Sequence, residues 1–445
     1  MQRLNKIIAW IGLTALTLPV LAQEQHAFTI QQALDYAKKN NVQVKNALLD
    51  VLIQAQTNRE VTGGALPQIK GSGSIVYNAK LPVSLVPAEF LGGTPGTFAE
   101  LAFGTKWSST GGVSISQVLF DGTVFAGLKA RNTLISYQLK NEEITEETIR
   151  ANVSKIYYQL LVSRTQIELL DSNISLVAKL QHDTKVMYDN GFAEKLDLSK
   201  LEVQQANLQT EKTNTLNQVA NGYLGLKVLM GMPVKDSLTL TDTLNDEQVK
   251  EGIPDMSVFD YNQRRDFQAS QMGIKLNEFD LKRYRAAKLP TLNLNGYYNK
   301  NAQRDQFNFL SKNGDWFGIS AFTVNLSVPI FTGFSANARI ARAKLVLQQS
   351  VNQQEALKIN IDNEIQTASN NFKSAISNLD YQKKNMALAE DVYQQTKKKF
   401  EVGTGTQTEI NQAQTDLKTA QTNYINSLYN AIIAKIDFVK ATGKL

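Results

Sequence analysis

Two carboxylates stand out by their spacing. Asp197 lies six residues after Gly191, and Glu409 lies six residues after Gly403. An acid near the start of a helix interacts favourably with the N-terminal dipole, so both residues could have a purely structural role. If several copies of the chain surrounded one axis, the same acids would form negative rings at the mouth of a pore and hold cations there. The sequence leaves both interpretations open.

Other residue patterns point away from catalysis. The chain has two histidines, His26 and His182, and no cysteine. Neither histidine has metal-ligand spacing or a nearby nucleophile, and thiolate chemistry and disulfides are excluded by composition. The sequence has no phosphate-binding glycine loop and no HExxH motif. We therefore predict a protein that is not an enzyme and needs no cofactor or metal.

Each of the two glycines closes a long helical pattern. Gly191 follows Tyr188, and Gly403 follows Phe400, by three positions. Glycine at this point can take the left-handed conformation that ends many helices. We predict two helix-turn-helix tips, whose exposed residues are Gly191, Phe192, Gly403, Thr404 and Gly405.

Very long helices must carry these tips. Apolar residues recur every three and four positions from Ile149 to Val177 and from Ile361 to Tyr393. A sustained period of 3.5 residues indicates helices that supercoil against one another. The proline-free stretches of about 123–190 and 334–402 would each reach on the order of 100 Å as helices, and shorter stretches before the strands and after the tips about 50 Å.

Four segments alternate apolar and polar residues with period two, as strands with two different faces do. They span about 68–79, 107–119, 291–300 and 318–330. Their length suits a tilted crossing of a bilayer, although a half-buried soluble sheet has the same pattern. In the clearest segment we predict that Phe322, Val324, Leu326 and Val328 face lipid, while Thr323, Asn325 and Ser327 face a water-filled lumen.

The whole arrangement occurs twice. Residues 118–122 precede Ala130, and residues 329–333 precede Ala341, both at an offset of 211; Gly191 and Gly403 differ by 212. We interpret 23–233 and 257–445 as two structural repeats joined by an equatorial linker at 234–256. Residues 1–22 have the basic start, apolar run and small-residue cleavage site of a secretory signal peptide.

Assembly follows from the strand count. Four strands cannot close a barrel, and an open sheet edge is not tolerated in lipid because its backbone groups lack partners. Three copies would supply twelve strands and leave a lumen, so we predict a homotrimer whose barrel contacts lipid. The formal net charge of +6 is spread among acidic residues along the helices, so we predict no nucleic-acid partner.

These features resemble the TolC family of outer-membrane efflux and secretion channels. The resemblance covers residues 29–443. Its motifs are the signal peptide, the segment Phe28-Thr29-Ile30-Gln31-Gln32-Ala33-Leu34, the pairs Leu66-Pro67 and Leu289-Pro290, and the Gly191 and Gly403 tips with arms ending at Gly231 and Gly443. It implies an α+β membrane protein in which a long α-helical coiled-coil barrel is continuous with a transmembrane β-barrel of four strands per protomer. It also implies a periplasmic adaptor (membrane fusion) protein and an inner-membrane transporter as partners.

The same resemblance implies carboxylates at a closed periplasmic entrance. Glu409 matches one such position; Gln412 stands where a second acid is common, and Gly405 where an arginine is common. The leading functional interpretation is a passive exit duct for small molecules or drugs, driven by a partner pump. A duct for type I protein secretion and a non-channel periplasmic coiled-coil adaptor are the alternatives.

Overall fold

The computed structural model describes residues 25–244, 246–251, 259–309, 311 and 314–445, so the predicted signal peptide at 1–22 lies outside the described residues. In chain order the strands are β1 (Gln25–Phe28), β2 (Gln68–Tyr77), β3 (Val83–Pro87), β4 (Phe98–Ala102), β5 (Trp107–Phe120), β6 (Ser237–Leu240), β7 (Thr291–Arg304) and β8 (Phe317–Ser327). The α-helices are α1 (Ile30–Asn40), α2 (Val42–Gly64), α3 (Gly122–Asp189), α4 (Lys195–Met230), α5 (Asp246–Lys250), α6 (Arg265–Ala286), α7 (Ser335–Glu401) and α8 (Gln407–Ala441).

The chain divides into two compact units. The helical unit contains the described residues up to Leu49 together with Leu139–Gln268 and Ala356–Leu445. The sheet unit contains Asp50–Gln138 and Ala269–Glu355. The predicted α+β fold class, with very long helices and a four-stranded sheet in one protomer, is confirmed.

The sheet unit is organised by one antiparallel sheet, in the order β2-β5-β7-β8. Residues from both repeats therefore meet at its centre, where β5 pairs with β7. The long connection after β2 contains a small hairpin of its own, in which β3 pairs with β4. The sequence pattern did not indicate this hairpin.

The helical unit is held by apolar seams between helices. One buried cluster includes Leu170, Val177, Leu201 and Leu417, so it joins α3, α4 and α8. A second surrounds Tyr157 and Met230 and includes residues of α1 and β6. The linker contributes β6, which pairs in parallel with β1, and the short helix α5.

The sequence pattern suggested one helix before the first strand. The structure instead has two, α1 and α2, which are separated by a break at Asn41. The Asn41 side-chain oxygen accepts hydrogen bonds from the backbone N–H groups of Gln43 (2.7 Å) and Val44 (3.2 Å) and so caps α2. Its Nδ2 donates to the Leu229 carbonyl at 2.6 Å. No described helix combines the length and apolar character needed to cross a membrane.

Candidate functional site

The strand register brings the apolar positions of all four strands onto one face. Ile69 pairs with Ile115, which pairs with Gly296, which in turn pairs with Phe322. Cross-strand partners point to the same side of a sheet, and alternate residues follow. We call this side the apolar face: Ile69, Gly71, Gly73, Ile75, Tyr77, Trp107, Ser109, Gly111, Val113, Ile115, Gln117, Phe120, Leu292, Leu294, Gly296, Tyr298, Lys300, Ala302, Arg304, Gly318, Ser320, Phe322, Val324 and Leu326.

Gly296 lets two large side chains of this face meet over its backbone. A Cβ atom there would lie 2.6 Å from Phe322 Cδ1 and 3.0 Å from Ile115 Cγ2. Phe322 nevertheless remains 79% exposed and Leu326 65% exposed. The apolar face is therefore exposed around Phe322 and Leu326, whereas Ser109 and Ala302, nearer the loop end, are buried.

The opposite side of the sheet, which we call the polar face, carries the three residues predicted to line a lumen. Thr323 pairs with Asn295, Asn325 pairs with Asn293, and Ser327 pairs with Thr291. All six are hydrogen-bonding side chains. One side of the sheet thus suits hydrocarbon and the other suits water.

Two positions differ from the simple alternation. The register shifts between Val118 and Phe120, so Phe120, and not Leu119, pairs with Leu292. Val328 lies just beyond the last residue of β8. Pro329 follows it and has no N–H to donate to a neighbouring strand, which accounts for the early end of β8.

Aromatic side chains gather where the strands meet the connecting loops. Ring centroids lie 4.6 Å apart for Tyr77 and Trp107, 5.0 Å for Trp107 and Phe307, and 5.7 Å for Phe307 and Phe309. Such rings at strand ends are typical of the boundary between lipid and water. The sequence carries this signal, because Tyr77 and Trp107 stand at the ends of alternating segments.

The helix tips have the predicted glycine geometry. Gly191 and Gly403 adopt φ values of 81° and 74°, in the left-handed region. The next residue donates back into the helix in both cases, from Phe192 N to Met187 O (2.8 Å) and from Thr404 N to Lys399 O (3.0 Å). Phe192 is 79% exposed. Each hairpin therefore ends in a tight turn with little to cover its side chains.

Glu409 and Asp197, the acids predicted to lie at an entrance, have different local contacts. Glu409 forms a capping box with Thr406: its carboxylate accepts from Thr406 N at 2.9 Å, and Thr406 Oγ1 accepts from Glu409 N at 3.2 Å. Asp197 lies 3.7 Å from Lys200 Nζ. Gln412 donates to Asp416 at 2.8 Å. Glu409 thus caps the start of α8 with one carboxylate oxygen, and the capping box leaves its second oxygen available.

A ladder of glutamines on α8 contacts the first hairpin at heptad spacing. Thr184 donates to Gln407 at 3.1 Å, Gln204 to Gln414 at 3.2 Å, and Asn173 to Gln421 at 2.8 Å. Gln414 is 1% exposed, and its Nε2 has no hydrogen-bond partner among the described residues. A buried polar group of this kind costs stability and specifies register.

The glycines that end the returning arms occupy equivalent close contacts in the two repeats. Gly231 and Gly443 both adopt φ of 73°. A Cβ atom would lie 2.3 Å from Asn40 O at Gly231, and 2.6 Å from Gln263 O at Gly443. Only glycine fits either position without displacing backbone.

The residues that follow Asn40 and Gln263, namely Asn41 and Arg264, also have matching roles, because each donates a hydrogen bond to a carbonyl near the end of a returning arm. Asn41 donates to Leu229 O at 2.6 Å, and Arg264 Nη1 donates to Ala441 O at 2.9 Å. Arg264 additionally contacts Asp266 (2.7 Å) and Glu364 (2.9 Å). Burial would lower the pKa of Arg264, but hydrogen bonds to these carboxylates outweigh it and raise the pKa.

The linker helix α5 is fastened to the second hairpin by Asp246. Its carboxylate accepts from Tyr424 at 2.7 Å and pairs with Lys383 at 2.8 Å. Burial alone would raise the pKa of Asp246, but the hydrogen bonds from Lys383 and Tyr424 hold it below its usual range.

Comparison with known proteins shows similarity to outer membrane efflux proteins. The model of the outer membrane efflux protein family matches residues 261–444. Outer membrane protein TolC of Vibrio cholerae is 20% identical over 336 residues, covering 75% of this chain and 76% of TolC. The toluene efflux pump outer membrane protein TtgC of Pseudomonas putida is 20% identical over 420 residues, covering 94% of this chain and 83% of TtgC. Residues 261–444 thus match the outer membrane efflux protein family, and these relatives extend the similarity over most of the chain.

Solved structures show the same fold. The structure of CusC matches with a TM-score of 0.77 at 17% identity, over 93% of this chain and 92% of CusC. The outer membrane channel CmeC of Campylobacter jejuni matches with a TM-score of 0.74 at 17% identity, over 93% of this chain and 85% of CmeC. The efflux-protein fold therefore extends over both repeats, beyond the residues that the family model matches.

Proposed function

We propose that this chain is the outer-membrane channel of a tripartite efflux system, a passive exit duct for small molecules or drugs driven by a partner inner-membrane pump. The observation that carries the proposal is the four-stranded sheet, which has one exposed apolar face, one polar face and an unpaired edge on each outer strand among the described residues. A lipid-facing wall with a water-facing interior requires these properties. The sheet lies in the outer membrane, and the helical unit lies largely in the periplasm.

Closure of the wall requires other copies of the chain. In hydrocarbon the free N–H and C=O groups of β2 and β8 need partners, and four strands are too few to curl onto themselves. We propose that β8 of one protomer pairs with β2 of the next in a homotrimer. Three copies of four strands give a twelve-stranded barrel around a lumen.

Disulfide cross-linking tests this closure directly, because the natural chain has no cysteine. A small set of double variants would pair a cysteine in β2, such as Ser72→Cys, with one in β8, such as Asn325→Cys. We expect oxidised, heat-denatured samples to run as covalent trimers for at least one pair. Ser114→Cys in the central strand β5 is the matched control, because β2 and β7 flank that strand within the protomer. Covalent trimers that form only with the cysteine in β5, and with none of the β2–β8 pairs, would refute this closure.

The two faces are tested by single cysteines and a membrane-impermeant thiol reagent. We expect strong labelling at Thr323, Asn325 and Ser327 and weak labelling at Phe322, Val324 and Leu326. Equal labelling of the two sets would contradict the assignment of lumen and lipid.

We also propose that the tips bind a periplasmic adaptor. Phe192 supports this role because it is 79% exposed, makes no core contact and stands beside the left-handed Gly191. Phe192→Ser should weaken adaptor co-purification and dye efflux while trimer yield stays unchanged. Phe90→Ser, at an 83% exposed phenylalanine of the sheet unit, is the matched control. Replacing Gly403 by Val would strain the second tip and should have a similar effect. Full adaptor binding by both tip variants would place docking elsewhere.

Glu409, with Asp197, is proposed to form negative rings at the periplasmic entrance, with Gln412 neutral beside them. The capping box holds one oxygen of Glu409 and leaves the other available to a cation. Replacing Glu409 by Gln and Asp197 by Asn should reduce the block of bilayer conductance by divalent cations on the periplasmic side. Unchanged block would show that both acids serve only to start helices.

Efflux is favoured over type I protein secretion by the relatives, since TtgC of Pseudomonas putida and BepC of Brucella suis are both named as efflux proteins. An adaptor is disfavoured by the exposed hydrophobic face of the sheet, because a periplasmic protein would leave that face in water. Membrane fractionation separates a channel from an adaptor: either kind of channel stays with the outer membrane after a high-salt wash, and an adaptor without a lipid anchor does not.

A further inference from the structure

We propose that the apolar face carries a binding site for the phosphate of an outer-leaflet lipid headgroup, built on Lys300 and completed by Arg304. The proposal rests on the function proposed above, which places this face in the outer membrane. Lipid headgroups are recognised by basic residues at the membrane surface, where each cation contributes about 1 kcal/mol.

The placement of charge on the sheet carries the inference. Lys300 and Arg304 are the two charged residues of the apolar face in the described strands, and both are cations on β7. A cation costs about 2–4 kcal/mol at the bilayer midplane and about 0–1 kcal/mol near the interface. Both lie toward the end of β7 that leads into the loop, away from the end that follows α6. The loop end of the sheet is therefore the outer surface, and the two cations lie at headgroup depth.

The neighbourhood of Lys300 is open. Its row across the sheet consists of Gly73, Gly111 and Gly318, so no side chain flanks it. A Cβ atom added at Gly111 would meet nothing within 4 Å. Lys300 is exposed. The lysine thus stands on a flat floor of backbone with room for a headgroup beside it.

Aromatic rings border this floor toward the loop. Two rows farther along the same face, toward the loop, lie Tyr77, Trp107 and Arg304. The Arg304 guanidinium lies 5.2 Å from the centroid of Phe309, and its Nη1 donates to Asn308 Oδ1 at 3.0 Å. These contacts hold the guanidinium against the loop that follows β7. Aromatic rings and a cation together suit a lipid headgroup and its first acyl carbons.

Among the described residues, neither Lys300 nor Arg304 has a carboxylate within ion-pair distance. Arg304 Nη2 is buried and has no hydrogen-bond acceptor among the same residues. Elsewhere in the described chain many lysines and arginines are paired, such as Arg265 with Glu147 at 2.8 Å. A pair of uncompensated cations on a hydrophobic face requires an external anion, and the anion available beside lipid is the headgroup phosphate.

The test measures lipid binding by the purified trimer in nonionic detergent micelles. Dioleoylphosphatidic acid, dioleoylphosphatidylcholine or inorganic phosphate would be added at equal concentration, and native mass spectrometry and the thermal midpoint would be followed. We expect phosphatidic acid alone to be retained and to raise the midpoint. Lys300→Gln should weaken its apparent affinity about fivefold, and Lys300→Gln with Arg304→Gln about 25-fold.

Lys70→Gln is the matched control, because Lys70 lies in a strand of the same sheet but on the polar face, and it should bind like the natural chain. Lys300→Arg should also bind normally, which separates charge from shape. The proposal is overturned if the double variant binds phosphatidic acid as tightly as the natural chain, if Lys70→Gln loses as much affinity, or if inorganic phosphate raises the midpoint equally. Bilayer conductance of the same preparations reports on the channel separately, so a conducting trimer without lipid selectivity refutes the site and leaves the proposed function standing.

Discussion

Replacing Gly231 by Ala should destabilise the end of α4 far more than the same change at Gly191, although both glycines are left-handed. Their φ values are 73° and 81°, so the backbone strain added by a side chain is similar, about 1–2 kcal/mol at each. The surroundings differ. A Cβ at Gly191 meets nothing within 4 Å, whereas a Cβ at Gly231 would lie 2.3 Å from Asn40 O.

The added cost at Gly231 follows from what must move. No Cβ tolerates a carbonyl oxygen at that distance, so the junction of α1 and α2 has to shift. The shift breaks the hydrogen bond from Asn41 to Leu229 O, worth about 1 kcal/mol, and disturbs the packing of the fully buried Met230. Overpacking adds about 1–3 kcal/mol. We therefore expect a total of about 3–6 kcal/mol at Gly231 against about 1–2 kcal/mol at Gly191.

Hydrogen exchange measured by mass spectrometry on the detergent-solubilised trimer can separate the two, because exchange reports the local free energy of opening. A difference of about 2–4 kcal/mol corresponds to roughly 30- to 900-fold faster exchange. Peptides covering residues 226–232 should show this acceleration in Gly231→Ala, relative to the change that peptides covering 187–193 show in Gly191→Ala. Gly443→Ala should repeat the large effect. Equal acceleration at Gly191 and Gly231 would refute the reasoning, because strain alone would then account for both.

Three further predictions concern the buried glutamine, the linker and the sheet. Gln414→Leu should raise the thermal midpoint by removing a buried unpaired donor worth about 1–3 kcal/mol, whereas Gln412→Leu at an exposed neighbouring position should not; a lower midpoint for Gln414→Leu would show that the amide is better satisfied than its contacts indicate. Because the folded pKa of Asp246 lies below its unfolded value, the stability that its ionised carboxylate contributes is present above the ordinary carboxyl range and is lost as pH falls below about 4. Hydrogen exchange in α5 should therefore differ between the natural chain and Asp246→Asn at pH 6, and the two should converge in acid. A difference that stays constant with pH would count against this linkage. Leu326→Arg should reduce the trimer yield in the outer membrane, because placing a cation in lipid costs about 2–4 kcal/mol. Ser327→Arg should have a much smaller effect. Equal yields of the two variants would contradict the assignment of lipid and lumen faces.

The long helices, the four strands and the tip glycines could be predicted because each leaves a periodic or conformational signal in the sequence. The heptads of α3 and α7, the alternation in β8 and the spacing of Gly191 and Gly403 all report local geometry. The faces of the sheet could be predicted too, since period two follows from the strand itself.

Features that depend on distant partners could not be predicted in this way. The break at Asn41 is stabilised by the Leu229 carbonyl, and an asparagine within a helical pattern does not by itself reveal that contact. The bulge beside Leu119 and the glycine floor around Lys300 appear only once the register is known. The glutamine ladder also needs the pairing of two hairpins, because Gln407, Gln414 and Gln421 have no apolar signature.

The unpaired edges of β2 and β8 have a genetic consequence. A protomer that can pair through β2 but not through β8, for example with Thr323 replaced by proline, would join an assembly and then prevent it from closing. Every trimer that contained such a subunit would fail to close. In a cell that expresses both forms equally, only a minority of trimers would therefore consist of natural subunits alone and function. The mutation should therefore act as a dominant negative in drug-susceptibility assays, whereas a variant that blocks both edges should be recessive because it never enters a trimer.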